Sequence, residues 1–310
     1  MKIHDECVTA KRASSCQNIV KTYDVADINN GNTVIIVMEY VNGVSLNNYL
    51  AKVGNINVKE ALFIFEKILE GIKELHGFQH KIIHRDLKPE NIMLTNDMTK
   101  IKIIDFGISS VLTISKATGD KKALTDETSV FGSFPYMCPE TLDVARSTKE
   151  MKSRIISEQF DFFSLGVILY EMLIGQKPFS YEKEDPSICR LPLQYDLMCI
   201  SDINPEIPVA VENIIFKCMA SKPEDKKNRY RSVDEIIHDV RAVINGDVSN
   251  DTVQLLKPRN ERTFQGKIVF NVNAQRLKEK FYEKQWFYWL MFSIAMIVAL
   301  LIIVISLLHD

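Results

Sequence analysis

Apolar residues recur in steps of three and four between residues 58 and 78, at Ala61, Leu62, Phe65, Ile68, Leu69, Ile72 and Leu75. That spacing predicts an amphipathic helix with one buried face. Residues 159–174 are apolar nearly all round, so they predict a central buried helix, ended by Gly175 and then Pro178. Residues 209–220 and 233–244 read as two further helices, and residues 1–17 as a short one. Strands are predicted over 18–25 and 33–38, with a turn at Asn29-Asn30-Gly31-Asn32 between them. The two would pair antiparallel, the second as a buried strand. From 245 to 275 the apolar periodicity fades and Gly, Asn, Asp, Thr and Lys dominate, which marks a linker.

Between the first two long helices the pattern changes. Residues 92–94 and 101–104 are short apolar or alternating runs on either side of the turn residues 95–99, as in a hairpin. Pairing them brings the polar loop before the first strand next to the loop after the second. Asp86, Asn91 and Asp105 then converge. A carboxylate base, an amide oxygen and a second carboxylate held together suit a magnesium ion and a hydroxyl nucleophile.

Composition changes this picture little. The 310 residues, 46% of them apolar, allow one large domain or two modest ones with a sizeable core. Lys and Arg number 38 against 40 Asp and Glu, a balance that does not point to nucleic acid as a partner. The six cysteines, at 7, 16, 138, 189, 199 and 218, have no Cys-x-x-Cys or zinc spacing and read as reduced thiols. The start of the chain has no signal-peptide pattern. Residues 286–308 do change the picture. They carry no charge, begin with Trp286, Tyr288 and Trp289, and are long enough for one bilayer span. Arg276, Lys278, Lys280 and Lys284 precede them and favour a cytosolic location for the bulk of the chain.

His84-Arg85-Asp86-Leu87-Lys88-Pro89-Glu90-Asn91, followed by Asp105-Phe106-Gly107, resembles the catalytic and metal-binding loops of protein kinases. The resemblance covers about residues 1–245. It implies an α+β, two-lobed kinase fold with a truncated small lobe, a mainly α large lobe and one C-terminal transmembrane helix. Residues 1–43 would be the remnant of the small lobe and hinge, 44–245 the large lobe, 246–285 a juxtamembrane linker and 286–308 the span. By the same resemblance Asp86 is the catalytic base and Lys88 the lysine of serine/threonine kinases. Asn91 and Asp105 are ligands of Mg2+ or Mn2+. ATP would meet the hinge at Glu39 and Val41, with Met38 behind and Met93 beside it. His84 is read as a packed, hydrogen-bonded support of the loop, and Phe106 and Gly107 complete the metal loop. Asp161 would tether the catalytic loop, or cap its helix. Glu140 and Arg229 would form a structural ion pair. Glu6 stands near the place of the helix glutamate, one residue out of register.

Arg85 beside Asp86 implies control by phosphorylation of a loop running from Asp105 to Glu140, with Thr125, Thr128 and Ser129 as acceptors. The implied partners are proteins with Ser/Thr acceptors, the membrane, and a second copy for autophosphorylation in trans. No Gly-x-Gly-x-x-Gly and no Val-Ala-Ile-Lys strand precedes Val34. The sequence is therefore read as N-terminally incomplete, with weak activity expected for residues 1–285 alone. The domain order resembles that of bacterial membrane serine/threonine kinases. The alternative is an inactive pseudokinase serving as a membrane-bound binding module.

Overall fold

Ile92 and Leu94 alternate with half-buried neighbours, as do Ile101 and Ile103, so one face of a hairpin here is committed to the core. A computed structural model describes residues 16–28, 33–79, 81–105, 134–141, 157–179, 199–221 and 226–247. In it, β4 (Ile92–Thr95) and β5 (Ile101–Ile103) pair antiparallel, Ile92 opposite Ile103 and Leu94 opposite Ile101. A third strand, β3 (Gly43–Ser45), joins the free side of β4, with Gly43 opposite Thr95 and Ser45 opposite Met93. Gly43 had been read as the end of the hinge. A Cβ there would lie 1.9 Å from the Leu94 carbonyl oxygen, so only glycine lets the two strands meet.

The other sheet has two strands, β1 (Thr22–Ile28) and β2 (Thr33–Met38), paired antiparallel with an irregularity between Thr22 and Asp24. The first of them starts later than the sequence predicts. The Val20 N–H donates to Ile103 O at 2.9 Å, and the Ile103 N–H donates to Asn18 O at 2.8 Å. Ile19 is thereby fully buried beside β5 in a lone parallel bridge, and residues 18–20 leave the strand. The expectation that β2 is a buried strand is corrected. Ile35 and Val37 are 45% and 47% exposed, because β1 is the only strand paired to β2 among the described residues. Residues 16 and 17 are not helical, and the rest of the helix expected over 1–17 lies outside the described residues, as does the turn at 29–32.

The helices build the core beneath β3–β5. In α1 (Leu46–Val53), unforeseen from the sequence, Ser45 accepts from the Asn48 N–H as an N-cap, and Leu46 and Leu50 are buried. The amphipathic α2 (Val58–His76) is capped by Asn57, whose side chain accepts from the Glu60 N–H. Fourteen of the sixteen residues of α3 (Gln159–Ile174) are buried, as its all-round apolarity predicts. Gly175, at φ +75, closes it in the left-handed conformation that glycine adopts without strain. A one-turn helix, α4 (Ile200–Ile203), leads to α5 (Val209–Met219) and α6 (Val233–Asn245). The close fit of α3 on α5 depends on Gly166, where a Cβ would sit 2.6 Å from Met219 Cγ and 2.8 Å from Cys218 Cβ. Most of the predicted linker, and all of residues 286–308, lie outside the described residues. No described helix is long and apolar enough to cross a membrane.

Candidate active site

The polar loop of residues 84–91 hangs on one buried carboxylate. Asp161, in the first turn of α3, is fully buried. Its Oδ1 accepts from the Arg85 N–H at 2.8 Å, and its Oδ2 accepts from the His84 N–H at 2.9 Å. His76 Nε2, at the end of α2, lies 2.8 Å from the same Oδ2. Burial alone would raise the Asp161 carboxyl, but hydrogen bonding and charge from His76, with His84 and the Arg85 amide, hold it below its ordinary value. Those bonds also hold Arg85 at φ +66, a left-handed conformation costing about 1–2 kcal/mol for a residue with a Cβ. Asp161 thus spends both oxygens on amides of the loop; the cap position of its own helix is Glu158, which makes no side-chain cap bond, so the tether is seen and the helix cap is not.

His84 ties the loop to the hairpin. Its Nδ1 accepts from the Asp86 N–H at 3.3 Å, so Nε2 carries the proton and donates to Ile104 O at 3.2 Å. Burial keeps this ring neutral by lowering its pKa, against the pull of Asp161 and Asp86. The unfolded chain takes a proton near pH 6.5 that the fold resists. Stability is then present above about pH 6.5 and lost as pH falls below it. Asp161, also lowered, acts in the same direction at more acid pH, below about 3.9. The urea midpoint should fall between pH 7.5 and 5.5, and His84→Asn should flatten that dependence. An unchanged slope in the variant would contradict the assignment to His84.

Within the loop the reacting groups are packed together. Asn91 Nδ2 donates to Asp86 O at 2.9 Å and to Asp86 Oδ2 at 3.2 Å. Lys88 Nζ lies 3.2 Å from the same Oδ2. The Ile104 N–H donates to Asn91 O at 2.9 Å, so β4 and β5 set Asn91 and the loop entering Asp105 at one end of the hairpin. Asp105 is exposed and takes φ +56, in the left-handed region. With its N–H2 spent on Asp86, the Asn91 amide keeps its oxygen for other use, and Asp105 adds two more oxygens. Hard oxygen donors, few in number and completed by phosphate and water, are what magnesium accepts.

Residues 134–141 rest on α3 and on Arg229. Ser164 Oγ donates to Tyr136 O at 2.8 Å, and Tyr136 OH donates to Glu171 at 2.5 Å. Arg229, 2% exposed, lies 3.2 Å from Glu140 Oε1 and donates to Ala220 O, Gln159 O, Ser221 Oγ and Cys138 Sγ. Cys138 takes part in this network. Its thiol donates to Glu140, and burial pushes its pKa up to about 12.

The expected nucleotide edge is only partly assembled. Met38 ends β2 and is 36% exposed, Val41 packs on the core, and Met93 is the middle residue of β4. The Glu39 N–H donates to Lys21 O at 2.8 Å. Glu6, Phe106, Gly107, Thr125, Thr128 and Ser129 lie outside the described residues. Two residues escaped the sequence reading. His76 continues the buried face of α2 and touches Asp161 85 positions away. Lys102 is the polar member of an alternating strand, and its partner Glu39 is also remote in sequence.

A carboxylate, a lysine and an amide oxygen on a tethered loop, with a second carboxylate at the end of the hairpin, are groups suited to phosphoryl transfer of the kinase kind. The chain belongs to the protein kinase domain family, which it matches over residues 1–239. It is 38% identical to a Mycoplasma genitalium protein provisionally named a serine/threonine-protein kinase, over 92% of this chain and 75% of that one. A Mycoplasma pneumoniae protein of the same provisional name is also 38% identical, over 86% of this chain and 70% of its own length. Serine/threonine-protein kinase PrkC of Bacillus subtilis is 33% identical over 82% of this chain but only 36% of PrkC.

Proposed function

We propose that the chain transfers the γ-phosphoryl group of Mg-ATP to serine or threonine hydroxyls of proteins. The single observation that carries this is the cluster in which Lys88 and Asn91 both converge on Asp86, on a loop bonded to Asp161. Asp86 receives the hydroxyl proton as the acceptor attacks. Lys88 steadies the carboxylate and meets the charge on the transferred group. Asn91 and Asp105 would hold the metal ion, which would neutralise phosphate charge there. Glu39 and Val41 present backbone groups to adenine, and Met93 lies beneath it. Asn91, Asp105 and Lys88 hold the phosphates from the side of the loop and hairpin. Asp105→Ala should raise the magnesium concentration needed for half-maximal transfer about tenfold or more. An unchanged magnesium dependence would count against the metal assignment.

Arg85 supports control by phosphate. Its Nε is buried and has no hydrogen-bond partner among the described residues. A phosphate on Thr125, Thr128 or Ser129 supplies the matching acceptor, placed there by a second copy acting in trans. The uncharged residues 286–308 anchor the protein as a single span, with the kinase domain on the cytosolic side where ATP is found. The protein should stay in the membrane pellet after alkaline carbonate washing, and external protease on intact cells should leave residues 1–285 whole. Release by carbonate, or digestion from outside, would contradict the anchor.

A further inference from the structure

We infer that Lys102 is a nucleotide-positioning residue, clamping the purine end of the cleft to the hairpin that carries the metal ligands. The inference rests on the proposed adenine contact at residues 39–41 and adds a residue which that reading leaves out. Ile101 and Ile103 face the core, so Lys102 between them faces the opposite side of β5. Directly across on β4 is Met93, and Ser45 on β3 lies beyond it. The long stem of Lys102 therefore runs beside the residue assigned to the adenine floor.

Its ammonium does not continue to solvent. Nζ lies 2.6 Å from Glu39 Oε1 and donates to Ile19 O at 3.1 Å. Both side chains are only about one-fifth exposed, at 20% and 22%. Glu39 Oε1 is buried and has no hydrogen-bond partner among the described residues, so the ammonium 2.6 Å away offsets its charge. Glu39 itself is fixed at the end of β2 by its N–H bond to Lys21 O. One cation thus joins the end of β2, the bend at 18–20 and the strand that delivers Asp105. Backbone bonds between Val20 and Ile103 already hold the bend to β5. The side-chain link adds a direct tie from β5 to residue 39, where the purine would bind.

A clamp on the purine end acts on adenosine as much as on ATP. A lysine that gripped phosphate would matter to ATP alone. In the full-length protein, Lys102→Met should weaken adenosine and Mg-ATP binding by the same factor, about three- to tenfold, read by calorimetry. The KM for ATP should rise in step, while kcat at saturating ATP changes by less than about twofold. Glu39→Gln approaches the same pair from the other side and should match it. The exchange Lys102→Glu with Glu39→Lys should recover most of the affinity. Unchanged binding in both single variants would overturn the clamp. So would a loss confined to ATP, which would make Lys102 a phosphate ligand. If the parent chain bound Mg-ATP but never adenosine, the adenine contact at 39–41 would fall and the clamp with it.

Discussion

Asp86→Asn should lower kcat by about 10²- to 10⁴-fold, the contribution of a positioned general base, with little change in the KM for ATP. The substitution keeps the shape and removes the proton acceptor. Asn91 Nδ2 and Lys88 Nζ both point at Asp86 Oδ2, so an amide nitrogen in that place would also face two donors. Lys88 then loses the charge that holds it 3.2 Å away. The fold should survive, because Asp86 is tied in through its backbone. Its N–H reaches His84 and its carbonyl takes Asn91, and neither bond uses the carboxylate. A variant that matched the parent rate would remove Asp86 from the chemistry.

Asp161→Ala should cost both stability and rate, although Asp161 touches no reacting atom. Its two oxygens take the His84 and Arg85 amides and meet His76, all at the core. Each buried donor left without an acceptor costs about 1–3 kcal/mol, so a loss of about 3 kcal/mol or more is expected in urea unfolding. Arg85 would be free to leave its left-handed conformation, and the loop would no longer hold Asp86 and Asn91 in register. A fall in kcat of about a hundredfold or more is expected, as displacement of a reacting group by 1 Å can cost that much. Asp161→Asn keeps one oxygen acceptor but turns an N–H2 toward another donor, so it should fall between the two. If Asp161→Ala folded with normal stability and rate, the tether would be decoration.

Much of this was legible in the chain because two signals agreed. Ile92, Leu94, Ile101 and Ile103 alternate, and that alternation alone places Asn91 beside the entry to Asp105. Asp161 was singled out by the kinase resemblance, at the start of an all-apolar helix. Its reach to His84 and Arg85 follows from a buried helix N-terminus with amides to bond nearby. Strand β3 was not legible, since Gly43-Val44-Ser45 is too short for a period and glycine reads as a turn. The cap at Ser45 before Leu46 and Leu50 was a signal for α1 that went unread. The burial of β2 was misjudged because an apolar run says nothing about what covers it. Ile35 and Val37 are exposed for want of a further strand among the described residues, not for want of hydrophobicity. His76 and Lys102 could not be found by spacing, because their partners Asp161 and Glu39 are brought close only by tertiary folding. Cys138 read only as a reduced thiol, and only its neighbours Glu140 and Arg229 reveal the hydrogen bonds it makes.

The measurement that bears most directly on the site is transfer of labelled γ-phosphate from Mg-ATP to a mixed protein substrate by the full-length protein, followed by identification of the labelled amino acid. Label should appear on serine and threonine, require magnesium, and fall steeply in Asp86→Asn at any magnesium concentration and in Asp105→Ala at limiting magnesium. Label on tyrosine alone, or undiminished transfer by both variants, would contradict a site built on Asp86, Lys88, Asn91 and Asp105.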